Sequence, residues 1–370
     1  MIPTIQYVHN STPAGGGLYV SGVEWPPRGH RPAEGGQAYI DAMDNRRGAL
    51  GVEVVFNARV QELLMENDAV KGVVAQGQAL RSHAVLLACG GITRSDPETI
   101  RAWFPDAYDA LPAGYHPTGP AGPGHRGDAL RLARQAGAEI IGKDCGLATP
   151  EPFLPNAPRG LHRFQPKSIV YVNGKGQRFA SETAPYAIMP GLMKEQGFRC
   201  WGLFDEAARL SADPTRSDVY RGWDPQFVLD CVECGDMIVA DTLEALAAKC
   251  GIRPNALRTT VTQFNEDIAE GRDRWFQRDL NGLSPIDQGP FYAFQYRALA
   301  FTVTGVGPRI DSDAHALDED GRVVPGLFAA GEAGAGILGQ RYVGGGNSVA
   351  NAITMGRVAG MTIGRELKHP

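Results

Sequence analysis

The segment GLFAAGEAGAGILGQRYVGGGNSVANAITMGRVAG, residues 326–360, constrains the fold of this chain most, because a short apolar run, Leu327 to Ala330, passes through glycines into a long helical stretch. Gly334, Gly336 and Gly339 within it spell G-x-G-x-x-G. Such a pattern holds a dinucleotide only where the glycines open a helix, a second parallel strand follows, and an acidic residue stands about 20 residues on to bind a ribose. Only a second glycine cluster and one helical stretch come after Gly339. These three glycines are therefore not expected to form an ordinary dinucleotide loop.

The 370 residues suffice for two domains and a buried core. The 36 basic and 41 acidic residues give a net charge of −5, with no basic patch or block of like charge, so a nucleic-acid partner is not expected. No apolar run has the length of a membrane-spanning helix, and MIPTIQYVHN lacks the features of a signal peptide, which makes a cytoplasmic location the expectation. Six scattered cysteines point to reduced thiols, and the Cys231/Cys234 pair has no second pair to make a zinc site. His30, His116, His125 and His162 do not cluster with acidic residues at ligand spacing and read as solvated loop histidines, so no metal is expected. Glycine, at 47 residues, exceeds the usual share of roughly 7% and implies many tight turns.

Periodicity divides the chain into three parts. A loop-like opening leads to a helix from Gln37 to about Ala49, then to short strands with Val52, Val54 and Phe56 alternating, a turn near Glu66 to Asp68, and a buried strand Ala84 to Ala88 that ends at Gly90 and Gly91. A short helix follows Gly127 and stops at Gly137. From about Asp144 the chain gains proline, charge and aromatic residues, with a hairpin turn at Asn173-Gly174. Asp241 and Glu244 read as an acidic capping box, and Leu257, Val261, Phe264 and Ile268 form the apolar stripe of the next helix. Strand character returns near Ala298. The last helix is expected from Asn347 or Ser348, one of them its N-cap, to Leu367, with Val349, Ile353, Val358 and Met361 among its apolar positions. This order suggests one domain, 1–143 and 298–370, interrupted by an inserted domain, 144–297.

Taken together, LLACGG, the G-D-x-x-x-x-A helix, YVNGKGQRFASE, and GLFAAGE with GGGNSVANAITMGRVAG resemble the fumarate reductase/succinate dehydrogenase flavoprotein-like family of FAD enzymes, over about Gly29 to the C-terminus. The resemblance implies an α/β fold: a Rossmann-like FAD-binding domain carrying an α+β cap domain. That family opens with a βαβ unit bearing the pyrophosphate loop, which would precede Met1. The expectation is that this chain is part of a larger enzyme; the alternatives are that another chain supplies the unit, or that FAD is not held in the usual way.

By the same resemblance, Glu332 accepts hydrogen bonds from a ribitol hydroxyl, and the helix beginning near Asn347 aims its positive end at the flavin. The FAD contacts it implies are Val60, Gly90, Gly91, Asp128, Gly331, Glu332, Gly345, Asn347, Ser348 and Val349. Tyr186 stands where fumarate reductases have their proton-donating arginine, and their substrate-clamping arginine falls at Tyr342 or Val343, with Arg341 adjacent. Both tyrosines are similar to those of the 3-ketosteroid dehydrogenase branch, matched by SETAPY and by Tyr342 with Gly346. The branch implies a small-molecule ketone substrate, Tyr342 and the Gly346 N–H as an oxyanion hole, Tyr186 as base toward the α proton, and Tyr7 as its helper. Removal of a β hydride is easy only if the α proton also leaves and the enolate is stabilised. Two other readings stay open: an enzyme of unsaturated or tricarboxylic acids using Arg341, Arg178 or Arg309, and a non-catalytic remnant or subunit. The electron acceptor is not indicated.

Overall fold

A computed structural model of the chain describes residues 5–8, 29–32, 35–111, 122–157, 165–184, 187–215, 222–340, 342 and 346–368, with the side chains of 5–8, 29–32 and 300 left aside. It has two regions joined by a long strand.

The first region is built on a parallel pair. Strand Val85–Leu87 runs alongside Val323–Ala329, with Leu327 opposite Val85 and Ala329 opposite Leu87, and His315–Leu317 pairs antiparallel on the far side. Among the described residues no strand pairs with the other edge of Val85–Leu87. An antiparallel meander, Val60–Glu66, Ala69–Ala75 and Gln78–Arg81, lies against it, with the expected first turn made by Asn67 and Asp68 at positive φ. Leu63, Val70, Leu87, Leu327 and Ala329 form one core with Ala129, Leu132 and Ala133 from helix Asp128–Gln135. Gly137, at φ +75°, follows the end of that helix in the left-handed conformation its position required.

The second region, where the cap was expected, is an antiparallel sheet in the order Ile238–Ala240, Phe291–Thr304, Cys200–Asp205, Val170–Asn173, with Gly146–Pro152 also on the long strand. Its strands alternate with period two, so each face has its own core. Tyr171, Phe204, Tyr292 and Phe294 join the buried Trp223 on one face. Val170, Val172, Leu203, Phe291 and Ala293 meet helices Leu243–Cys250 and Pro254–Glu270 through Leu246, Leu257, Val261 and Phe264 on the other. The junction expected at 297/298 lies inside the long strand, which pairs with Cys200–Asp205 through Tyr296 and with Gly146–Pro152 from Tyr296 to Thr304.

Several local expectations are corrected. Residues 52–55 form no strand, and Val52, Val54 and Phe56 are exposed, Phe56 at 79%. Alternation yields a strand only where an edge can pair with it, and no described strand does so here. The helix opening at Leu243 is capped by Thr242, whose hydroxyl accepts from the Ala245 N–H at 3.2 Å, and not by Asp241. The last helix runs Asn347–Glu366 with Gly346 as N-cap. Its buried face is Asn351, Met355, Ala359 and Thr362, while Val349, Ile353 and Met361 face outward.

Candidate active site

Three loop ends converge where the parallel pair finishes. Gly331, at φ +64°, turns the chain sharply out of Val323–Ala329 into the short 3-10 turn Gly331–Ala333, so that Glu332 faces back over the sheet. Its Oε2 accepts from the backbone N–H of Thr304 at 3.3 Å. Thr304, fully buried at the end of the long strand, in turn accepts at Oγ1 from the Ile92 N–H at 3.1 Å. Gly91 is packed so closely that a Cβ there would stand 2.0 Å from Thr304 Oγ1 and 2.7 Å from Glu332 Oε2. The glycine is therefore required for this approach and not merely for a turn.

His125 closes the cluster, contrary to the expectation of a solvated loop histidine. Its side chain is only 24% exposed, its Nδ1 accepts from the Gly91 N–H at 3.2 Å, and the same atom lies 3.5 Å from Glu332 Oε2. The contact spans 34 residues of sequence, so local spacing held no signal for it.

Beside this cluster the Gly127 N–H donates to the Gly91 carbonyl at 3.1 Å, and Asp128 begins the next helix. Arg59 grips the Asp128 carboxylate through both Nε and Nη2, at 3.1 and 2.7 Å, and holds its pKa below the usual range. Arg131 reaches from the same helix to the Val60 carbonyl at 2.9 Å, which brings Val60 and Asp128 to one place.

A second group sits at the start of the last helix. Gly346, at φ +89°, has no side chain with which to cap it. The Tyr342 hydroxyl takes that role: it accepts from the Ser348 N–H at 3.3 Å and stands 3.5 Å from Ser348 Oγ. Tyr342 is buried in a cluster with Leu147, Val303, Leu338 and Ala187, the residue that follows Tyr186. Val303 and Thr304 are consecutive in the strand and belong to the two groups in turn, Val303 to Tyr342 and Thr304 to Glu332. One turn into the helix, Asn351 is 7% exposed, and neither of its amide atoms has a partner among the described residues. Its neighbour Ala352 lies against Gly331, within 3.3 Å of where a Cβ would be. Val349, by contrast, is 55% exposed.

Tyr186, Arg341, Val343, Gly344 and Gly345 lie outside the described residues, as do His116 and His162. Tyr7 is described only as backbone, in strand Ile5–Val8 opposite His30. Arg178 cannot serve a substrate carboxylate as one reading expected. It is buried and bonded to Glu182 and Asp273, each at 2.7 Å, while Arg278 holds Glu182 at 2.9 Å. Arg309 pairs with Glu139 at 3.1 Å. The cysteines are free thiols; Cys231 is buried, with its pKa pushed up to about 12 by burial.

The FAD binding domain family matches residues 9–349. The chain belongs to that family. It is 30% identical over 346 residues to the NADH:acrylate oxidoreductase of Vibrio harveyi, covering 90% of this chain and 32% of that protein. It is 28% identical over 367 residues to the 3-oxosteroid 1-dehydrogenase of Mycobacterium tuberculosis, covering 89% of this chain and 62% of that one. Among solved structures it resembles 3-ketosteroid Δ1-dehydrogenase from Sterolibacterium denitrificans in complex with 1,4-androstadiene-3,17-dione, with a TM-score of 0.70 and 26% identity over 88% of this chain and 62% of that one. The chain thus spans about a third to three-fifths of the length of these relatives.

FAD is the cofactor of the family, and the residues fit it. A carboxylate backed by one backbone donor, glycines that bring the main chain close, and a buried amide without a partner suit a ligand rich in hydroxyl and carbonyl groups. Glu332, Gly91 and the first turn of the last helix would hold it. Among the described residues no group of histidine, cysteine and carboxylate side chains could hold a metal ion, and no helix is long and apolar enough to cross a membrane.

Proposed function

We propose that this chain carries the active site of an FAD-dependent oxidoreductase that dehydrogenates the CH–CH bond beside a ketone, on a bulky cyclic substrate of the 3-oxosteroid kind. Bound FAD supplies the hydride acceptor. The observation that carries this reading is the Tyr342 hydroxyl at the head of the last helix. Because it accepts from the Ser348 N–H, its own proton is left to donate, and accepting one bond strengthens the other. A ketone oxygen held by Tyr342 and the Gly346 N–H would have its developing negative charge stabilised by the same helix end.

Tyr186 is the proposed base toward the α proton. In support, Ala187, the next residue in sequence, packs in the cluster of Tyr342. A tyrosine titrates near 10, so Tyr186 needs a neighbour that favours its ionised form, and Tyr7 is the proposed one. Of the arginines open to the carboxylic-acid reading, Arg178 is committed to buried carboxylates and Arg309 pairs with Glu139, which leaves Arg341 as its candidate.

The test is an anaerobic half-reaction. The chain is equilibrated with FAD and desalted, and its visible flavin absorbance is followed after addition of a saturated 3-oxosteroid, with succinate and tricarballylate as comparisons. Bleaching by the ketone alone supports the proposal. Bleaching by the acids alone, or a protein that retains no flavin, overturns it.

A further inference from the structure

His125 belongs to neither tyrosine, and its geometry is too specific for packing alone. The Gly91 N–H needs a lone pair on Nδ1, which in the neutral ring puts the proton on Nε2. No described group accepts from Nε2. The ring lies over Gly90, where a Cβ would stand 2.8 Å from both Cδ2 and Nε2, so a glycine at φ +78° makes room for it. The Glu332 carboxylate lies beside it, with no hydrogen bond to Oε1 among the described residues. The Nε2–H on one edge of the ring, and the Glu332 carboxylate whose Oε2 lies 3.5 Å from Nδ1 on the other, offer the donor and the acceptor that hydroxyl groups need, since these both accept and donate.

We propose that His125 is a cofactor-binding residue: its Nε2–H donates to an oxygen of the ribityl chain of FAD while Glu332 accepts from a hydroxyl of the same chain. This rests on FAD as the cofactor and is independent of the ketone reading. A polyol held from both sides is fixed in direction.

Two amide replacements separate the nitrogens. In His125→Asn the amide oxygen can replace Nδ1 as acceptor for the Gly91 N–H, but nothing replaces the Nε2 donor. In His125→Gln the amide nitrogen reaches the Nε2 position and the acceptor for Gly91 is lost. The dissociation constant of FAD, measured by quenching of flavin fluorescence in the full chain, is expected to rise about tenfold in His125→Asn at an unchanged Tm of the flavin-free protein. His125→Gln is expected to keep affinity within about threefold and to lower that Tm. If His125→Asn binds FAD as the wild type does while His125→Gln loses affinity, the ring only props Gly91 and the proposal is wrong. A wild-type chain that takes up no FAD overturns it together with the cofactor assignment, whereas the ketone reading can fail in the half-reaction while this result stands.

Discussion

The hydroxyl of Tyr342 accepts a hydrogen bond from the backbone N–H of Ser348 at 3.3 Å, so a side chain from before the glycine cluster caps the helix that follows it. In the proposed mechanism, stability and reactivity meet at this one oxygen. Tyr342→Phe should cost about 1 kcal/mol of stability through the lost cap. It should lower kcat on a 3-oxosteroid by roughly 10²- to 10³-fold through the lost oxyanion donor. Denaturant titration and steady-state rates measure the two separately; a variant destabilised but fully active would confine Tyr342 to the cap.

Tyr186→Phe should leave folding and flavin affinity intact and reduce kcat by about 10²-fold or more. Wash-out of deuterium from the α carbon of the substrate reports the proton step directly. Retained wash-out in the variant would assign the base to another residue.

Gly91→Ala introduces a Cβ 2.0 Å from Thr304 Oγ1 and 2.7 Å from Glu332 Oε2. Neither neighbour can yield without breaking its hydrogen bond to Ile92 or to the Thr304 backbone. Flavin uptake, read from the visible spectrum after desalting, should fall at least tenfold, with a loss of stability of about 1–3 kcal/mol. Gly339→Ala meets nothing within 4 Å and serves as the control expected to match the wild type.

The legibility of the chain follows the range of its interactions. Helix Gly36–Ala49, the turn at Asn67-Asp68 and the Gly137 stop were readable because a few neighbouring residues decide them. The candidate site was proposed only by resemblance: Glu332 means little until Gly91 and Thr304 come to it from 241 and 28 residues away. His125 was misread for that reason. The outward face of the last helix was misread for another, since its apolar Val349, Ile353 and Met361 suggest burial while the polar Asn351 takes the inner position.

Glu182 is buried among Arg178, Arg278 and the N–H of Tyr171, and it links the hairpin at Asn173 to the loop after helix Pro254–Glu270. Its charge is compensated at both arginines, and Asp273 completes the balance. Glu182→Gln leaves a surplus positive charge in the core and should destabilise the protein by about 3–5 kcal/mol, as measured by denaturant unfolding. A loss below about 1 kcal/mol would mean that water reaches the cluster.

His315 bonds to Asp311 at 2.9 Å and to Glu366 at 2.7 Å, fastening the end of the last helix to the sheet. Burial opposes its charge, yet the two carboxylates prevail and its pKa is raised above 6.5. With the folded value above the unfolded one, its stabilisation is complete below about pH 6.5 and is lost as pH rises through the folded pKa. His315→Gln should remove that part of the pH dependence of Tm, leaving variant and wild type closer at high pH than at low pH. A gap that does not change with pH would show that the pair acts only by packing.

The strands Gly146–Pro152 and Phe291–Thr304 carry the chain into and out of the second region, and they are hydrogen-bonded to each other along the way, with register shifts at Ala298/Ala300 and Phe301/Val303. The two crossings form a ribbon and not a pair of loose tethers. The matching region of a relative therefore cannot be transplanted by cutting at loops. The graft has to carry both strands in register, because an error of one residue upstream would exchange the places of Val303, which packs on Tyr342, and Thr304, whose backbone N–H bonds Glu332. The root of the second region is thereby inherited as one piece.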